Sequence, residues 1–358
     1  MYAESGQDWH HFEPVVRDLT DTHGRKICYV SSDASDPGLH QSHPSILPFC
    51  IGEGFFRILF FQTLDADVML TQLLDLDNLD LKRSVHPVHY IYMFHSLIST
   101  HMADHADSFD HYDSILCAGP HQLKEIRKRE AMHGLGPKQL FEHGYGRLEQ
   151  LMAERREPPG IKSDEDIHVL LAPSWGDETI LNVCGVEIVG VLLDAGFRLT
   201  LRPHFQTRWH TPEFIDAIVA RYGAHPKFAL VEQLGESHSL FDSHIMITDW
   251  SGASMDYGMG LEKPVLYIDL PTKSRNDTWR ELGMEPFEIS VRDRIGAVLA
   301  PARLADAPDT IRGLLADPDR FREQVAALRR DSVFSLGRSA QAAAAAVAKV
   351  AEEVARER

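Results

Sequence analysis

The sequence predicts an α/β protein built from two Rossmann-like domains, each with a doubly wound parallel sheet. Short β-rich runs alternate with helix-length patterns along the 358 residues, and this alternation is typical of parallel sheets. Most of the β-rich runs are continuously apolar, as expected for strands that helices cover on both faces. Residues 154–166, ERREPPGIKSDED, contain two prolines and one glycine and have no apolar face, which indicates an interdomain linker.

The first domain, residues 1–153, combines helical patterns with apolar β-rich runs. The helical patterns cover residues 9–22 and 121–132. A Rossmann-like half normally opens with a strand, whereas this chain enters a helical pattern almost at once, which suggests that a first strand is missing. The predicted strands are residues 26–31, 57–63, 88–94 and 114–118.

The second domain, residues 167–335, repeats the alternation. Domains of this kind bind ligands beyond the carboxyl ends of their strands, at the cleft that two such halves form, so functional residues are sought in the loops after strands. The predicted helices are residues 184–195, 212–222 and 251–261. The predicted strands are residues 167–172, 198–202, 228–231, 244–248 and 264–268.

The last segment, residues 336–358, is predicted to end in a helix. It is rich in alanine from Ala340 onward, and Val347, Val350 and Val354 form one apolar stripe at helical spacing. That stripe needs a partner surface.

The composition excludes several classes of protein. With 53 acidic and 36 basic residues the formal charge is −17, so general binding of nucleic acid is not expected. No apolar run approaches the ~20 residues of a membrane span and no basic-then-apolar leader is visible, so we expect a cytoplasmic protein. The four cysteines are far apart without metal-binding spacing, and we interpret them as buried thiols in a reducing compartment: Cys28, Cys50, Cys117 and Cys184.

Two candidate sites follow strands directly. His95 and Ser96 come after an apolar run, where a histidine facing a cleft suits a general base near neutral pH; the alternative is one loop histidine among 20. Arg202 and His204 follow a strand of the second half and point the same way on an extended chain. A cation beside an imidazole suits a phosphate, and the alternative is a surface arginine with a structural histidine.

Small residues follow another strand of the second half. Thr248 and Asp249 end that strand, and a helix begins at or near Ser251 as its N-cap. Ser251 and Gly252 would let a phosphate approach the free N–H groups of the turn, whereas the alternative is a plain capped helix. One turn into the helix, Asp256 is placed to accept hydrogen bonds from a ligand or from the backbone.

Further turns and one polar cluster complete the candidates. Arg147, Ser174 and Trp175 lie in turns that read locally as loops, with a binding role as the alternative. A cluster of histidines and aspartates has a spacing that metal sites also use, but a solvated acidic helix and loop explains it more simply: His101, Asp104, His105, Asp107, Asp110 and His111.

In chain order these motifs resemble the CDP-glycerol glycerophosphotransferases of teichoic-acid and capsule synthesis. The resemblance covers nearly the whole chain, and it depends on the order and spacing of the motifs rather than on any single one. The motifs are Tyr2-Ala-Glu-Ser5-Gly6 with Trp9 and Phe12, His95, Gly144-Tyr-x-Arg147, Ala172-Pro-Ser-Trp-x-Asp177, Arg202-Pro-His204, Thr248-Asp-Trp-Ser251, Lys263-Pro-Val265 and Phe334-Ser-Leu-Gly-Arg338.

The resemblance implies a GT-B fold, with an N-terminal acceptor domain and a C-terminal nucleotide-donor domain, and no metal or cofactor. His95 matches the family's base for the acceptor hydroxyl, and His204 matches the histidine at the donor phosphates. The helix of residues 336–358 would return to the first domain near Trp9 and Phe12 and tie the two halves together. The phosphate-binding turn and the acid after it match Thr248, Asp249, Ser251 and Asp256.

Two positions depart from the family pattern. Ser96 stands where the family usually has glycine, and Gly252 stands where a second serine is common. The first departure concerns the acceptor side. The second removes a hydroxyl but keeps the backbone donors.

The implied activity is transfer of an alditol phosphate, such as glycerol phosphate, from a CDP-activated donor to a hydroxyl of a glycan or lipid-linked polymer, with release of CMP. One alternative is a GT-B nucleotide-sugar glycosyltransferase or 2-epimerase. Another is a non-catalytic family member that binds nucleotide or a partner protein. Peripheral association with the inner face of the membrane and the oligomeric state stay open.

Overall fold

The computed structural model describes residues 1–78, 81–231 and 238–357, so Arg358 of the predicted C-terminal segment lies outside the described residues. The chain forms two compact units, each assembled from separate stretches. The first unit comprises Met1–Glu149, Ser274–Phe287 and Ser332–Arg358, and the second comprises Gln150–Lys273 and Glu288–Asp331. The domain limits predicted from the sequence, 1–153, 154–166, 167–335 and 336–358, stay predictions.

The first unit contains a parallel sheet with the strand order β3-β2-β1-β4-β5-β6-β7. Each neighbouring pair is parallel, so the carboxyl ends of all strands lie along one edge. The strands are β1 (Tyr2–Ala3), β2 (Ile27–Ser31), β3 (Ile46–Cys50), β4 (Val68–Thr71), β5 (His89–Met93), β6 (Ser114–Cys117) and β7 (Gln139–Glu142).

The second unit contains a parallel sheet with the strand order β10-β9-β8-β11-β12-β13. Its central strands are almost wholly buried, as the continuous apolar runs predict. The strands are β8 (His168–Leu171), β9 (Arg198–Leu201), β10 (Phe228–Leu230), β11 (Ile245–Thr248), β12 (Val265–Ile268) and β13 (Gly296–Leu299).

The helices connect successive strands or extend beyond the sheets. No helix in the described part of the chain combines the length and apolar character that a membrane span requires. The helices are α1 (Trp9–Asp21), α2 (Phe55–Thr63), α3 (Pro120–His133), α4 (Gly146–Glu154), α5 (Ile180–Val183), α6 (Gly185–Asp194), α7 (Phe205–His210), α8 (Pro212–Tyr222), α9 (His238–Asp242), α10 (Ala253–Met255), α11 (Phe287–Ser290), α12 (Ala307–Leu315), α13 (Pro318–Ser332) and α14 (Ser339–Glu357).

One predicted strand is wrong. Residues 57–63 belong to helix α2, whose Phe61 is buried with its ring 4.9 Å from that of Tyr2. The sequence shows no strand at 46–50, yet β3 lies there and joins the same parallel sheet as β4. Because parallel strands need a crossover between them, the apolar run between β3 and β4 has to leave the sheet, and it forms a helix.

The prediction that a first strand is missing before α1 is wrong. That strand is present as β1, which pairs with β2 on one side and β4 on the other. Tyr2 and Ala3 are its only residues, and both are buried. A strand of two residues gives no periodic pattern, which is why the sequence did not reveal it.

The interpretation of the cysteines is partly wrong. Cys117 and Cys184 are buried, but Cys28 and Cys50 are exposed, and all four are free thiols. Cys28 lies on β2, and Cys50 lies on β3, which is the edge strand of this sheet among the residues that the structure describes. Apolar residues next to a cysteine in the sequence thus do not show that the cysteine itself is buried.

Helix α14 is part of the core of the first unit. Val347 and Val350 are buried in one cluster with Trp9, Phe12 and other apolar residues of α1. The Phe334–Arg338 segment before the helix is anchored by Glu149, whose carboxylate accepts hydrogen bonds from the backbone N–H groups of Gly337 (2.8 Å) and Ser339 (3.1 Å). The apolar stripe of the helix thus has its partner in α1.

Candidate functional site

His95 lies two residues after β5, at the carboxyl edge of the first sheet. Its Nδ1 atom is buried and has no hydrogen-bond partner. Burial lowers the pKa of His95 to about 4, against a smaller opposing effect of a hydrogen bond to the backbone of Met93. The ring is therefore neutral at pH 7 and has a nitrogen free to accept a proton.

The loop that carries His95 is held by helix α3. The Gln122 amide donates hydrogen bonds to the backbone carbonyls of Ser96 and Ile98, both at 3.0 Å. The same side chain accepts a hydrogen bond from the backbone N–H of Ala118 at 2.7 Å. Because Gln122 is fully buried, these three bonds fix the loop against β6, and Ser96 takes part through its carbonyl.

Two further histidines stand beside His95. The ring of His11 on α1 lies 5.3 Å from the ring of His95 and 3.8 Å from that of His10. Burial first, and then the neighbouring histidines and Arg147, lower the pKa of His11 to about 2. Together with Tyr145, these residues line a small cavity, so the structure brings Arg147 and His95 together.

A larger cavity of about 440 Å³ also reaches His95. We call it the Gln72 cavity. It is lined by Glu4, Asp8, Arg57, Gln72, Leu73, Leu74, Asp75, Leu81, His95 and Arg275, all of which belong to the first unit. His95 is thus placed beside space large enough for a small ligand.

In the second unit, His204 follows β9 and caps helix α7. Its Nδ1 accepts a hydrogen bond from the backbone N–H of Gln206 at 3.2 Å. Burial, with a contribution from Lys273, lowers the pKa of His204 to about 4. A neutral ring that accepts at Nδ1 carries its proton at Nε2, so His204 presents a hydrogen-bond donor to a ligand.

Trp175 forms a platform beside His204. The two rings are stacked with their centroids 6.0 Å apart, and the ammonium of Lys273 lies 4.8 Å from the Trp175 ring centroid. Lys273 also donates a hydrogen bond to the Trp175 carbonyl. The structure therefore gathers an aromatic ring, a neutral imidazole and a cation at the carboxyl edge of the second sheet.

Arg202 comes directly after β9, and its backbone N–H donates to the Leu171 carbonyl at 2.8 Å. Strands β9 and β11 both flank β8, so Arg202 and the turn after β11 leave the sheet at the same edge. Since β8 lies between β9 and β11 in the sheet, the loop after β8, which contains Ser174 and Trp175, leaves the sheet between these two positions.

The side chains of Asp249 and Thr248 form hydrogen bonds with backbone groups. The Asp249 carboxylate accepts hydrogen bonds from the N–H groups of Ser174 (2.7 Å), Ile180 (2.9 Å) and Trp250 (2.7 Å). The Thr248 hydroxyl donates to the Ala172 carbonyl at 2.6 Å. Both side chains are buried, and they hold the loop after β8 against the end of β11.

The helix after this turn begins later than predicted. Gly252, rather than Ser251, is its N-cap, without a side-chain bond, and α10 spans only Ala253–Met255. The chain continues directly from α10 into a π-helix, Asp256–Gly260. A Cβ on Gly252 would meet no atom within 4 Å, so the turn is open to approach at that point.

The polar cluster around His101 is not a solvated helix. His101 and Asp104 are buried, and the segment consists of bends and turns. Burial raises the pKa of Asp104 to about 6, with Arg275 opposing the shift. Among the described residues, no group of three histidine, cysteine, aspartate or glutamate side chains is placed to hold a metal ion.

Sequence reasoning missed three residues of these sites: Lys273, Gln72 and His11. Lys273 and Gln72 both follow strands, β12 and β4, and that position is the signal that could have found them. Lys263, in contrast, belongs to a matched motif but is buried, and its ammonium donates to the carbonyls of Leu240 (3.2 Å), Phe241 (2.5 Å) and Ser243 (2.7 Å). It stabilises the end of α9.

Comparison with known proteins identifies the fold. No protein-family model matches the chain, and no curated protein matches it in sequence. Solved structures do match. A variant of the wall teichoic acid polymerase TagF soaked with CDPG is 13% identical, with a TM-score of 0.54 over 96% of this chain and 85% of that chain.

Two other solved structures match over at least 98% of both chains. The UDP-GlcNAc 2-epimerase of Methanocaldococcus jannaschii, in complex with UDP-GlcNAc and UDP, is 10% identical, with a TM-score of 0.56 over 98% of this chain and 100% of that chain. A glycosyltransferase from Rickettsia africae ESF-5 is 10% identical, with a TM-score of 0.55 over 100% and 99%. The chain has the GT-B fold. The predicted fold class, two Rossmann-like parallel-sheet domains of GT-B type, is confirmed.

Proposed function

We propose that the chain is a transferase that moves the alcohol phosphate of a CDP-activated alditol, CDP-glycerol in the simplest case, to a hydroxyl of a glycan or polymer. The observation that carries the proposal is the neutral His95 ring, whose Nδ1 lacks a partner at the edge of a cavity. The likeness to TagF supports the choice of donor at the level of the fold.

The proposed reaction is one displacement at phosphorus. The acceptor oxygen bonds to the phosphorus that carries the alditol, and its proton passes to His95. The bond from that phosphorus to the bridging oxygen breaks, and the electron pair leaves with CMP. In the second unit, Arg202, the Nε2 donor of His204 and the N–H groups of the turn at Ser251 would stabilise the negative charge of the departing phosphate.

Thermal shift with four nucleotides tests the donor. CDP-glycerol, CDP and CMP should raise the melting temperature more than UDP does. His204→Ala should weaken binding of CDP-glycerol by roughly 1–3 kcal/mol, the scale of one hydrogen bond to a charged group. His225→Ala is the matched control, since His225 precedes β10 at the opposite end of a strand. Unchanged binding in His204→Ala would exclude its role.

A nucleotide-sugar glycosyltransferase or 2-epimerase is the second candidate. The observation that favours it is the match over all of the Methanocaldococcus jannaschii 2-epimerase, compared with 85% of TagF. A preference for UDP in the same measurement would select this candidate. Absence of a response to all of the nucleotides would favour the non-catalytic alternative, a chain that binds a partner protein.

A further inference from the structure

The Gln72 cavity contains a polar group that the structure leaves unsatisfied. Gln72 directly follows β4 and is 8% exposed, and neither its Nε2 nor its Oε1 atom has a hydrogen-bond partner. A buried amide with both ends unpaired costs free energy, and native structures rarely keep one without a reason. The amide can both donate and accept hydrogen bonds. A hydroxyl group also does both, so hydroxyl groups of a ligand could satisfy both ends of the amide.

The charges that line the cavity favour a neutral ligand. Three carboxylates face two guanidinium groups, and the Arg57 guanidinium is already paired with Glu4 at 2.6 Å. The Asp8 carboxylate accepts two backbone hydrogen bonds, from Glu4 (2.9 Å) and Ser5 (3.2 Å). With carboxylates in excess, an anion would be repelled, whereas hydroxyl groups would find acceptors.

Asp75 provides a further acceptor on the same wall. One of its carboxylate oxygens accepts a hydrogen bond from the Ser108 hydroxyl at 2.6 Å. Its backbone has φ of 60°, a left-handed conformation that non-glycine residues rarely adopt. Leu73, Leu74 and Leu81 complete the wall with apolar surface, which suits the carbon skeleton of a polyol.

We propose that the Gln72 cavity binds a neutral polyhydroxyl compound, a sugar or an alditol, with the Gln72 amide bonded to one of its hydroxyls and His95 beside another. The assignment of this ligand as the acceptor rests on the proposed function. Binding itself does not, because every residue of the cavity belongs to the first unit.

Saturation-transfer NMR on the full chain without nucleotide tests the proposal. The probes are D-glucitol and D-glucitol 6-phosphate, which share a skeleton and differ in charge. Glucitol should give a saturation-transfer signal and the phosphate a weaker one. Gln72→Leu, which removes both amide groups, should weaken glucitol binding roughly tenfold or more. Gln72→Glu keeps an acceptor and should retain part of the binding.

Gln62→Leu is the matched control, because Gln62 is exposed on α2 and does not line the cavity. Circular dichroism of each variant checks folding, and if Gln72→Leu does not fold, Gln72→Glu carries the comparison. Absence of a glucitol signal, equal binding by Gln72→Leu and wild type, or tighter binding of the phosphate would overturn the proposal. Glucitol binding without any nucleotide response would retain this inference and reject the proposed transferase.

Discussion

At the scale of single residues, burial decides which histidines are chemically available. His95 and His204 both have a pKa of about 4, so both are neutral at pH 7. They differ in their ring nitrogens. Nδ1 of His95 has no partner, whereas Nδ1 of His204 is occupied by Gln206. Local contacts within each unit therefore make His95 suited to act as a base and His204 suited to act as a hydrogen-bond donor.

His95→Ala should lower kcat about 100-fold or more and leave nucleotide binding nearly intact. General-base catalysis accelerates a reaction roughly 10²–10⁴-fold, and this variant removes the base. Because the base works when neutral, kcat of the wild type should be flat above pH 5.5 and decline as the pH falls toward about 4. Steady-state kinetics check both effects. His105→Ala, at an exposed loop position, is the control. Near-normal turnover of His95→Ala would rule out this role.

The buried histidines also make stability depend on pH. His95 and His143 have a folded-state pKa of about 4, below the ordinary histidine value of 6.5, because both rings are buried. The folded state binds fewer protons, so stability is full above pH 6.5 and declines as the pH falls from 6.5 to about 4. Urea titrations at pH 7.5 and pH 5 measure this loss. His143→Phe should make it smaller, and an equal loss in that variant would contradict the assignment.

At the scale of elements, one glycine controls how the C-terminal segment meets the turn before α4. Gly144 has φ of 97°, and a Cβ there would lie 2.2 Å from the Phe334 carbonyl oxygen. Gly144→Ala should therefore lower the free energy of unfolding by roughly 2 kcal/mol or more. Gly146→Ala, where a Cβ meets nothing, is the control. Equal stability of the two variants, measured by urea denaturation, would contradict the close approach.

The elements also show how far the sequence determines the fold. Every predicted strand of the second half is observed, because each is an apolar run, and all except the edge strand β10 are largely buried. Strand β13 was missed because it begins at a glycine, Gly296, which is uncommon in strands. Glycine is required there because a Cβ would lie 1.6 Å from the Val265 carbonyl oxygen on β12. Only the neighbouring strand reveals that contact. Helix α2 was misassigned because a short apolar run has no period of its own.

The same limit applies to the candidate sites. Strand ends located His95, Arg202 and His204 correctly at the carboxyl edges of their sheets. The contacts of Asp249 could not be predicted, since its carboxylate is bound by N–H groups from a loop some 75 residues earlier in the chain. Partners that distant in sequence leave no local pattern. The functional roles of these residues stay predictions.

At the scale of the whole molecule, the first unit is discontinuous: its third stretch, Ser332–Arg358, follows the entire second unit in sequence. Helix α14 buries Val347 and Val350 against α1. Burial of two valines contributes roughly 3–6 kcal/mol, comparable to the whole stability of many domains. The first unit should therefore not fold completely until the last residues of the chain are present.

A chain ending at Asp331 should lose the cooperative unfolding transition of the first unit, because α1 would expose the apolar surface that α14 covers. A synthetic peptide of residues 332–357 added to it should restore that transition, measured by calorimetry and near-ultraviolet circular dichroism. The same peptide with Val347→Asp and Val350→Asp should not, since two buried charges would oppose docking. A shortened chain that melts cooperatively within a few degrees of the full chain, with or without peptide, would show that α1 is stable without its C-terminal partner.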